Sequence, residues 1–206
     1  MRIEKLSPEP DRAGRFHLRF EDGTTIRLYR QTVEDYGLYA GCELTQEQIE
    51  SLRADAGAMS AKMRAVRIVA ASSVSRRDLE DRLVQKGEDP RQAKAAVQWM
   101  EDLNLVDDAQ TARQVVSRCA ARGYGINRAR QALYEKKIPK VYWDDALEDY
   151  PDQSGHILAF LRQRIGADAD SREVKRAVDA LLRRGHNYSD IRKALMKLDA
   201  DEFLEE

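Results

Sequence analysis

The sequence predicts a mainly α-helical protein, built as an elongated, curved tandem array of three three-helix repeats that follows a small N-terminal α+β module with a β-hairpin. Three observations lead to this prediction. Apolar and polar residues alternate near the N-terminus, helical periodicity follows, and one helical pattern recurs three times at a spacing near 50 residues. A repeat of this length is typical of helical units that each pack on the neighbouring unit.

The recurring pattern is an amphipathic helix with two apolar residues four positions apart, followed by a basic residue and a break. The three copies are Leu79-Leu83-Lys86-Gly87, Ala129-Leu133-Lys136-Lys137 and Ala177-Leu181-Arg184-Gly185. If Gly87, Lys137 and Gly185 are equivalent, successive breaks are 50 and 48 residues apart. A second helix follows each break, with aligned positions at Val97 and Met100, Leu147 and Tyr150, and Leu195 and Leu198.

The N-terminal segment has the pattern of a small sheet. Phe16, Leu18 and Phe20 alternate with polar residues, and the alternation resumes after Asp22-Gly23, a dipeptide typical of hairpin turns. Because an isolated hairpin is only marginally stable, residues 3–6 are predicted to add a third strand. Short helices are predicted over residues 33–38 and 45–52, the second with a capping box between Thr45 and Gln48.

Residues 57–60 interrupt the pattern and are predicted to separate the N-terminal module from the helical repeats. Helix-capping residues and breaks then divide the remaining chain into helices. The predicted helices cover residues 61–71, 76–86, 90–103, 108–121, 126–136, 139–149, 154–165, 171–184 and 188–198. The predicted domains are the α+β module at 1–56, repeat 1 at 60–106, repeat 2 at 107–151, repeat 3 at 152–198 and an acidic tail at 199–206.

The order of these motifs resembles the RecX family, bacterial modulators of the RecA recombinase. The resemblance covers roughly residues 60–198 and is most specific at its Leu-Val-Asp-Asp and Arg-Arg-Gly-His segments. It is carried by the Ser75-capped basic helix, the turn Lys86-Gly87, the segment Leu103-Asn104-Leu105-Val106-Asp107-Asp108 with Ala112 behind it, and Leu182-Arg183-Arg184-Gly185-His186 followed by Ile191. Many family members have glycine where this chain has Lys137.

The resemblance implies a non-catalytic regulator. Family members are expected to bind the RecA filament on single-stranded DNA along its helical groove, and to inhibit its ATP hydrolysis, strand exchange and co-protease activity. The implied partners are the RecA filament and, in addition, single-stranded DNA.

Composition and motifs argue against several other classes of protein. Cys42 and Cys119 are far apart in different contexts, which predicts neither a disulfide framework nor a metal site, and the three histidines lack partners at ligand spacing. No phosphate-binding loop, nucleophile elbow or dinucleotide fingerprint is present. The sequence predicts no catalytic residue, metal or cofactor, no membrane span or signal peptide, and a monomeric cytoplasmic protein.

The formal net charge of −1 conceals an uneven distribution. Residues 60–140 hold 17 Lys and Arg against 10 Asp and Glu, whereas residues 1–55 hold 8 against 11 and residues 141–206 hold 10 against 15. Positive charge returns in residues 172–197, with 8 basic against 3 acidic residues. This distribution favours an anionic partner that meets particular faces, although solvated helices with internal ion pairs would give the same counts.

Basic residues at the repeat breaks are the main candidates for a binding surface. Cations in a last helical turn can reach an anionic partner, and they are also favoured there because the helix C-terminus is partly negative. The candidate residues for partner or DNA binding are Arg76, Arg77, Arg82, Lys86, Arg122, Tyr124, Arg128, Arg130, Lys136, Lys137, Arg183, Arg184, Arg192 and Lys193.

Aromatic residues in the helical patterns are interpreted as core packing rather than as base-stacking platforms. This interpretation applies to Trp99, Tyr134, Tyr142, Trp143 and Tyr150. Tyr124 is different because Gly123 and Gly125 place it in a predicted loop, where it is either a partner contact or part of an ordinary hinge.

Two functional alternatives accompany the regulator hypothesis. Short helix triads with arginines at helix starts also describe helix-turn-helix proteins, which bind DNA without a recombinase. An enzyme is the third class, and the missing catalytic constellations argue against it. Binding of duplex DNA that depends on salt and needs no recombinase would favour the helix-turn-helix hypothesis.

Overall fold

The computed structural model describes residues 1–9, 14–166 and 169–202, with side chains up to residue 198. The chain divides into two compact units, Met1–Val106 and Asp107–Glu206, called unit 1 and unit 2 below. The side chains of the predicted acidic tail, residues 199–206, lie outside the described residues.

Unit 1 begins with the predicted three-stranded sheet. Its antiparallel strands are β1 (Ile3–Pro8), β2 (Arg15–Phe20) and β3 (Thr25–Tyr29), paired in the order β1-β2-β3. The hairpin prediction is confirmed: Gly23 has a φ of +85°, and the Asp22 carboxylate accepts hydrogen bonds from the Thr24 N–H and hydroxyl. The alternating residues Leu18, Phe20 and Leu28 are fully buried on one side of the sheet.

Two helices follow the sheet, α1 (Arg30–Asp35) and α2 (Gln46–Ala71). The predicted Thr45–Gln48 capping box starts α2. The predicted interruption at residues 57–60 is wrong, because α2 runs through it for 26 residues. Gly57 lies against the amide of Gln92: a Cβ there would lie 2.4 Å from this side chain, which donates to the Ala54 carbonyl at 3.2 Å. Because the glutamine side chain is flexible, it can move aside, and this contact does not by itself require a glycine within the helix.

The C-terminal half of α2 packs with α3 (Arg76–Gln85) and α4 (Pro90–Asp102). Ser75 caps α3 by accepting the Asp78 N–H, and Asp89 caps α4 ahead of Pro90. The resulting core is separate from the core under the sheet and contains Ala61, Ala65, Val74, Leu79, Leu83, Ala93, Ala96, Val97, Met100 and Val106.

Unit 2 contains two helical cores. Its helices are α5 (Asp108–Ala121), α6 (Ile126–Glu135), α7 (Trp143–Leu147), α8 (Ser154–Arg164), α9 (Ser171–Arg183) and α10 (Tyr188–Glu202). The helix predicted over residues 139–149 is instead a 3₁₀ turn, Lys140–Tyr142, that leads into the short α7. Leu133 is buried in the first core of unit 2, and Leu181 in the second.

The observed architecture confirms the predicted fold class, a mainly helical chain with a small N-terminal antiparallel sheet. The three aligned leucines, Leu83, Leu133 and Leu181, are at most 1% exposed, as equivalent core positions require. The boundaries of the predicted repeats remain a prediction.

Candidate partner-binding surface

The three repeat breaks share one backbone geometry. At each break the residue in the left-handed region is Gly87, Lys137 or Gly185, with φ of +88°, +54° and +85°. The next residue then donates its N–H to the carbonyl of the buried leucine, with N to O distances of 3.1, 3.1 and 3.2 Å for Leu83, Leu133 and Leu181. This bond, together with a shorter-range one in the same turn, is the Schellman arrangement that satisfies carbonyls at a helix end. Lys137 therefore occupies the position that glycine occupies in the other two copies.

Candidate cations lie at these turns as predicted. Lys86, Lys136 and Arg184 are the C-cap residues of α3, α6 and α9. Because the helix C-terminus is partly negative, this position stabilises the helix whether or not a partner is bound. The position alone therefore supports both interpretations of the basic residues.

Two of the unit 1 candidates are ion-paired within their own repeat. Arg82 pairs with Asp78 at 2.8 Å, one helical turn away, and Arg76 pairs with Glu101 of α4. Arg77 and Lys86 are exposed. Unit 1 therefore presents candidate cations whose charge is partly compensated.

In unit 2, a contact between backbones brings the second and third repeats together. The Gly125 N–H donates to the Arg184 carbonyl at 3.0 Å, and the Asn127 N–H donates to the Gly185 carbonyl at 3.2 Å. A Cβ at Gly125 would lie 2.0 Å from the Gly185 oxygen, and one at Gly185 would lie 2.2 Å from the Arg128 nitrogen. Only glycine fits at these two positions without a shift of the backbone. We call the contact between residues 123–128 and 184–187 the junction.

Side chains reinforce the junction. The Nε2 atom of buried His186 lies 3.1 Å from the Gly123 carbonyl oxygen, and the Asn127 amide donates to Asn187 Oδ1 at 2.9 Å. Since a carbonyl oxygen can only accept, Nε2 carries the hydrogen in the neutral His186 ring. Burial lowers the pKa of His186 below its usual value, which favours this neutral form.

Tyr150 supports the same loop from inside unit 2. Its hydroxyl donates to the Tyr124 carbonyl at 2.7 Å, and burial raises its pKa to about 12. The Tyr124 ring, in the loop predicted from the flanking glycines, is half-buried and packs against the first core of unit 2. Its role as a partner contact stays a prediction.

The junction places candidate residues that are about 60 residues apart in the sequence on neighbouring segments. Arg122 directly precedes the first segment of the junction and Arg128 ends it, while Arg183 directly precedes the second segment and Arg184 begins it. Arg128 pairs with Glu135 at 3.0 Å, and the Arg184 guanidinium lies 4.7 Å from the centre of the Phe160 ring. Arg122 and Arg183 are exposed. The sequence alone did not indicate this gathering of cations.

The other unit 2 candidates lie elsewhere on the helices. Arg130 donates to Asn127 at 3.4 Å, and Lys193 lies 3.9 Å from Asp190 on α10. Arg192 is exposed on the same helix. Lys136 and Lys137 lie at the turn after α6.

One aromatic assigned to the core is exposed. Tyr134 is 73% exposed, beside the basic turn that ends α6, whereas Trp99, Tyr142, Trp143 and Tyr150 pack partly buried against the cores as interpreted. The signal was available in the sequence, since the buried positions Ala129 and Leu133 are four residues apart and Tyr134 lies one residue off that stripe. Tyr134 is therefore an additional candidate contact residue.

The described residues contain no group of histidine, cysteine or acidic side chains that could hold a metal ion. Burial raises the pKa of the Cys119 thiol, which disfavours the reactive thiolate. Within the same part of the chain, no helix combines the length and apolarity needed to cross a bilayer.

Comparison with known proteins identifies relatives over most of the chain. The chain is 31% identical over 153 residues to the regulatory protein RecX of Halorhodospira halophila, an alignment that covers 72% of this chain and 95% of that protein. It is 23% identical over 202 residues to the regulatory protein RecX of Clostridioides difficile, covering 95% of both. No protein-family model matches the chain.

Two solved structures have a similar fold. A crystal structure of regulatory protein RecX gives a TM-score of 0.63 at 19% identity, covering 93% of this chain and 98% of the other. The crystal structure of RecX from Lactobacillus salivarius gives a TM-score of 0.60 at 20% identity, covering 70% and 97%. At this level of identity the structural similarity establishes the fold.

Proposed function

The chain belongs to the RecX family of regulatory proteins, and from this premise we propose that it binds the RecA recombinase filament on single-stranded DNA and inhibits its activities. The proposed mode is binding along the helical groove of the filament, with loss of ATP hydrolysis, strand exchange and co-protease activity. The role is regulatory and non-catalytic, and its proposed location is the cytoplasm.

The junction is the observation that carries this proposal. It holds exposed Arg122 and Arg183, contributed by different repeats, on neighbouring segments through backbone hydrogen bonds and a buried histidine. Because the two segments are already held together, binding does not have to order the backbone to bring these arginines to neighbouring positions. The junction therefore suits an acidic protein surface or the phosphates of the filament.

Repeated modules offer a physical reason to prefer filament over free recombinase. If each repeat contacts a neighbouring protomer, the second contact forms at a high effective concentration. Preference for one state of the filament would then shift its population towards that state. This mechanism requires binding residues only.

Charge substitutions at the junction test the proposal. The variant Arg122→Gln with Arg183→Gln is expected to bind filament at least roughly tenfold more weakly, mainly through slower association, because exposed charges act on encounter. The matched control is Arg19→Gln with Arg113→Gln, which removes the same charge from exposed arginines that pair with Glu4 and Asp145. Binding would be measured by surface capture of recombinase assembled on single-stranded DNA.

The same measurement has two decisive comparisons. Wild-type chain should bind the assembled filament more tightly than free recombinase or bare DNA, and it should lower ATP hydrolysis by the filament. Equal affinity for free recombinase and filament would contradict the groove-binding mode. Equal effects of the junction and control variants would remove the junction from the binding surface, and tight duplex binding without recombinase would favour the helix-turn-helix alternative.

A further inference from the structure

A second cationic cluster lies in unit 1 and contains none of the candidates named from the sequence. It is centred on Tyr29, the last residue of β3, which is directly opposite Arg15 in the β2–β3 register. The Tyr29 hydroxyl oxygen accepts from Arg15 Nη2 at 2.8 Å and Nε at 3.2 Å, and from Arg67 Nη2 at 2.9 Å. Arg67 belongs to α2, which packs on β3. Two guanidinium groups from different elements therefore converge on one phenol.

This convergence brings like charges together at one phenol oxygen. The two Nη2 atoms are less than about 6 Å apart, since both lie within hydrogen-bonding distance of the same oxygen. Among the described residues, neither arginine has a carboxylate partner. Like charges this close repel each other, and a neutral phenol oxygen compensates only part of that repulsion.

Two other arginines of the sheet have their positive charge compensated by a carboxylate. Arg19 donates two hydrogen bonds to the Glu4 carboxylate, at 2.7 and 2.6 Å, and Arg27 lies 3.5 Å from Glu9. The sheet therefore supplies carboxylates to two of its arginines and none, within the described chain, to Arg15. The difference identifies the cluster at Tyr29 as unusual within its own sheet.

The cluster is also pre-organised for an acceptor. Arg15 lies 5.1 Å from the centre of the Tyr29 ring, and Arg67 Nε is fixed by the Met63 carbonyl at 3.0 Å. Three N–H groups already point at the phenol oxygen, and its own O–H has no acceptor among the described residues. The remaining guanidinium hydrogens and this O–H are all donors, and guanidinium groups bind the oxygens of phosphates and carboxylates well.

The neighbouring residue favours a polyanion over a single acidic side chain. Arg30 follows Tyr29, lies 5.7 Å from the centre of the Phe16 ring and, within the part of the chain described, has no carboxylate partner either. Among the described residues, Arg15, Arg30 and Arg67 thus present three cations without a carboxylate partner around one end of the hairpin. Nucleic acid supplies successive phosphates along a chain, so that several cations can be neutralised at once.

We propose that Arg15, Tyr29 and Arg67 bind a phosphate group of a nucleic-acid backbone, with Arg30 beside them. Such an interaction positions a strand without reading its sequence, because the phosphates are the same at every nucleotide. The proposal does not depend on the junction or on filament binding, since it concerns unit 1 and nucleic acid alone.

The test measures binding of the full chain to fluorescently labelled single-stranded oligothymidylate in the absence of recombinase. Arg15→Ala with Arg67→Ala is expected to weaken binding roughly tenfold. It should also flatten the plot of log affinity against log salt by about 0.7 for each phosphate that the variant no longer neutralises. Tyr29→Phe should weaken binding less, because both charges remain. Circular dichroism and thermal unfolding of each variant check that the fold is intact.

Arg19→Ala with Arg27→Ala is the matched control, since it also removes two positive charges, but from arginines of the sheet that pair with Glu4 and Glu9. Its affinity and salt slope should stay within about twofold of wild type. If the Arg15 and Arg67 double variant behaves like this control, the phosphate site is overturned. Competition by polyglutamate at equal charge would instead assign the cluster to an acidic protein, and competition by inorganic phosphate alone at low concentration would assign it to a free anion. Both outcomes also overturn the proposal.

Discussion

The turns after α3 and α9 have the same backbone geometry in different surroundings. Gly87 and Gly185 have φ of +88° and +85°, and the residue after each donates to a buried leucine carbonyl. A Cβ on Gly87 would meet nothing within 4 Å, whereas one on Gly185 would lie 2.2 Å from the Arg128 nitrogen. Gly87 therefore supplies a conformation, while Gly185 supplies both a conformation and the space in which a second repeat packs.

The largest predicted effect separates these two roles. Gly87→Ala is expected to destabilise the protein by about 1 to 2 kcal/mol, the cost of a side chain in the left-handed region. Gly185→Ala is expected to cost about 2 to 5 kcal/mol, because overlap with the α6 backbone adds an overpacking penalty. Urea unfolding followed by circular dichroism measures both values.

Equal losses in the two variants would mean that the backbone contact at the junction contributes nothing to stability. A larger loss for Gly185→Ala, accompanied by weaker filament binding, would instead link the junction to function. Gly87→Ala, at the equivalent turn of unit 1, serves as the control for the shared left-handed conformation.

This comparison also shows what the sequence could reveal about the fold. Helix ends, caps and the positions of the three breaks were predictable, because local hydrogen bonding and periodicity determine them. The junction was not, since Gly125 and Gly185 meet only through packing of elements that are 60 residues apart. The contact between Gly57 and Gln92 was not predictable for the same reason, because Gln92 lies on another helix.

The candidate surfaces were predictable to different extents. Basic residues at the breaks could be found from the repeat, but their ion pairs could not. The partner of Arg76, Glu101, lies on another helix, and the partner of Arg128, Glu135, lies two turns further along the same helix. The Arg15 cluster was missed because residues 1–55 carry an excess of acidic residues. Glu4 and Glu9 are taken up by other arginines, so a segment with negative net charge still presents a cationic site.

The next prediction is that lowering the pH reduces the stability that His186 contributes at the junction. Burial holds the pKa of His186 below its usual value of 6.5, so the unfolded chain binds the proton more readily than the folded chain does. The stability that this histidine contributes is therefore present above about pH 6.5 and is lost as the pH falls through the folded pKa. Urea unfolding at about pH 7.5 and about pH 5.5 measures the loss.

His186→Gln removes the titration. It is expected to cost about 1 kcal/mol at neutral pH, through loss of the hydrogen bond to Gly123, and to reduce the difference between the two pH values. His17→Gln, in unit 1, is the control and should leave that difference in place. An unchanged difference in His186→Gln would show that other groups govern the acid sensitivity.

The smallest predicted effect is a gain in stability at the turn after α6, where Lys137 occupies the position that glycine has in the other two repeats. Lys137 has a φ of +54°, whereas the adjacent Lys136 has a φ of −81°. Lys137→Gly is expected to stabilise the protein by about 0.5 to 1 kcal/mol, since the relief of left-handed strain exceeds the added entropy of the unfolded chain. Lys136→Gly removes the same charge where no such strain exists and should destabilise the protein by about 0.5 to 1 kcal/mol.

Urea unfolding measures the change in the free energy of unfolding for both variants. Changes of opposite sign would establish that the second repeat has the same turn as the glycine-containing repeats. A loss of stability in both variants would mean that contacts of the Lys137 side chain outweigh its backbone strain.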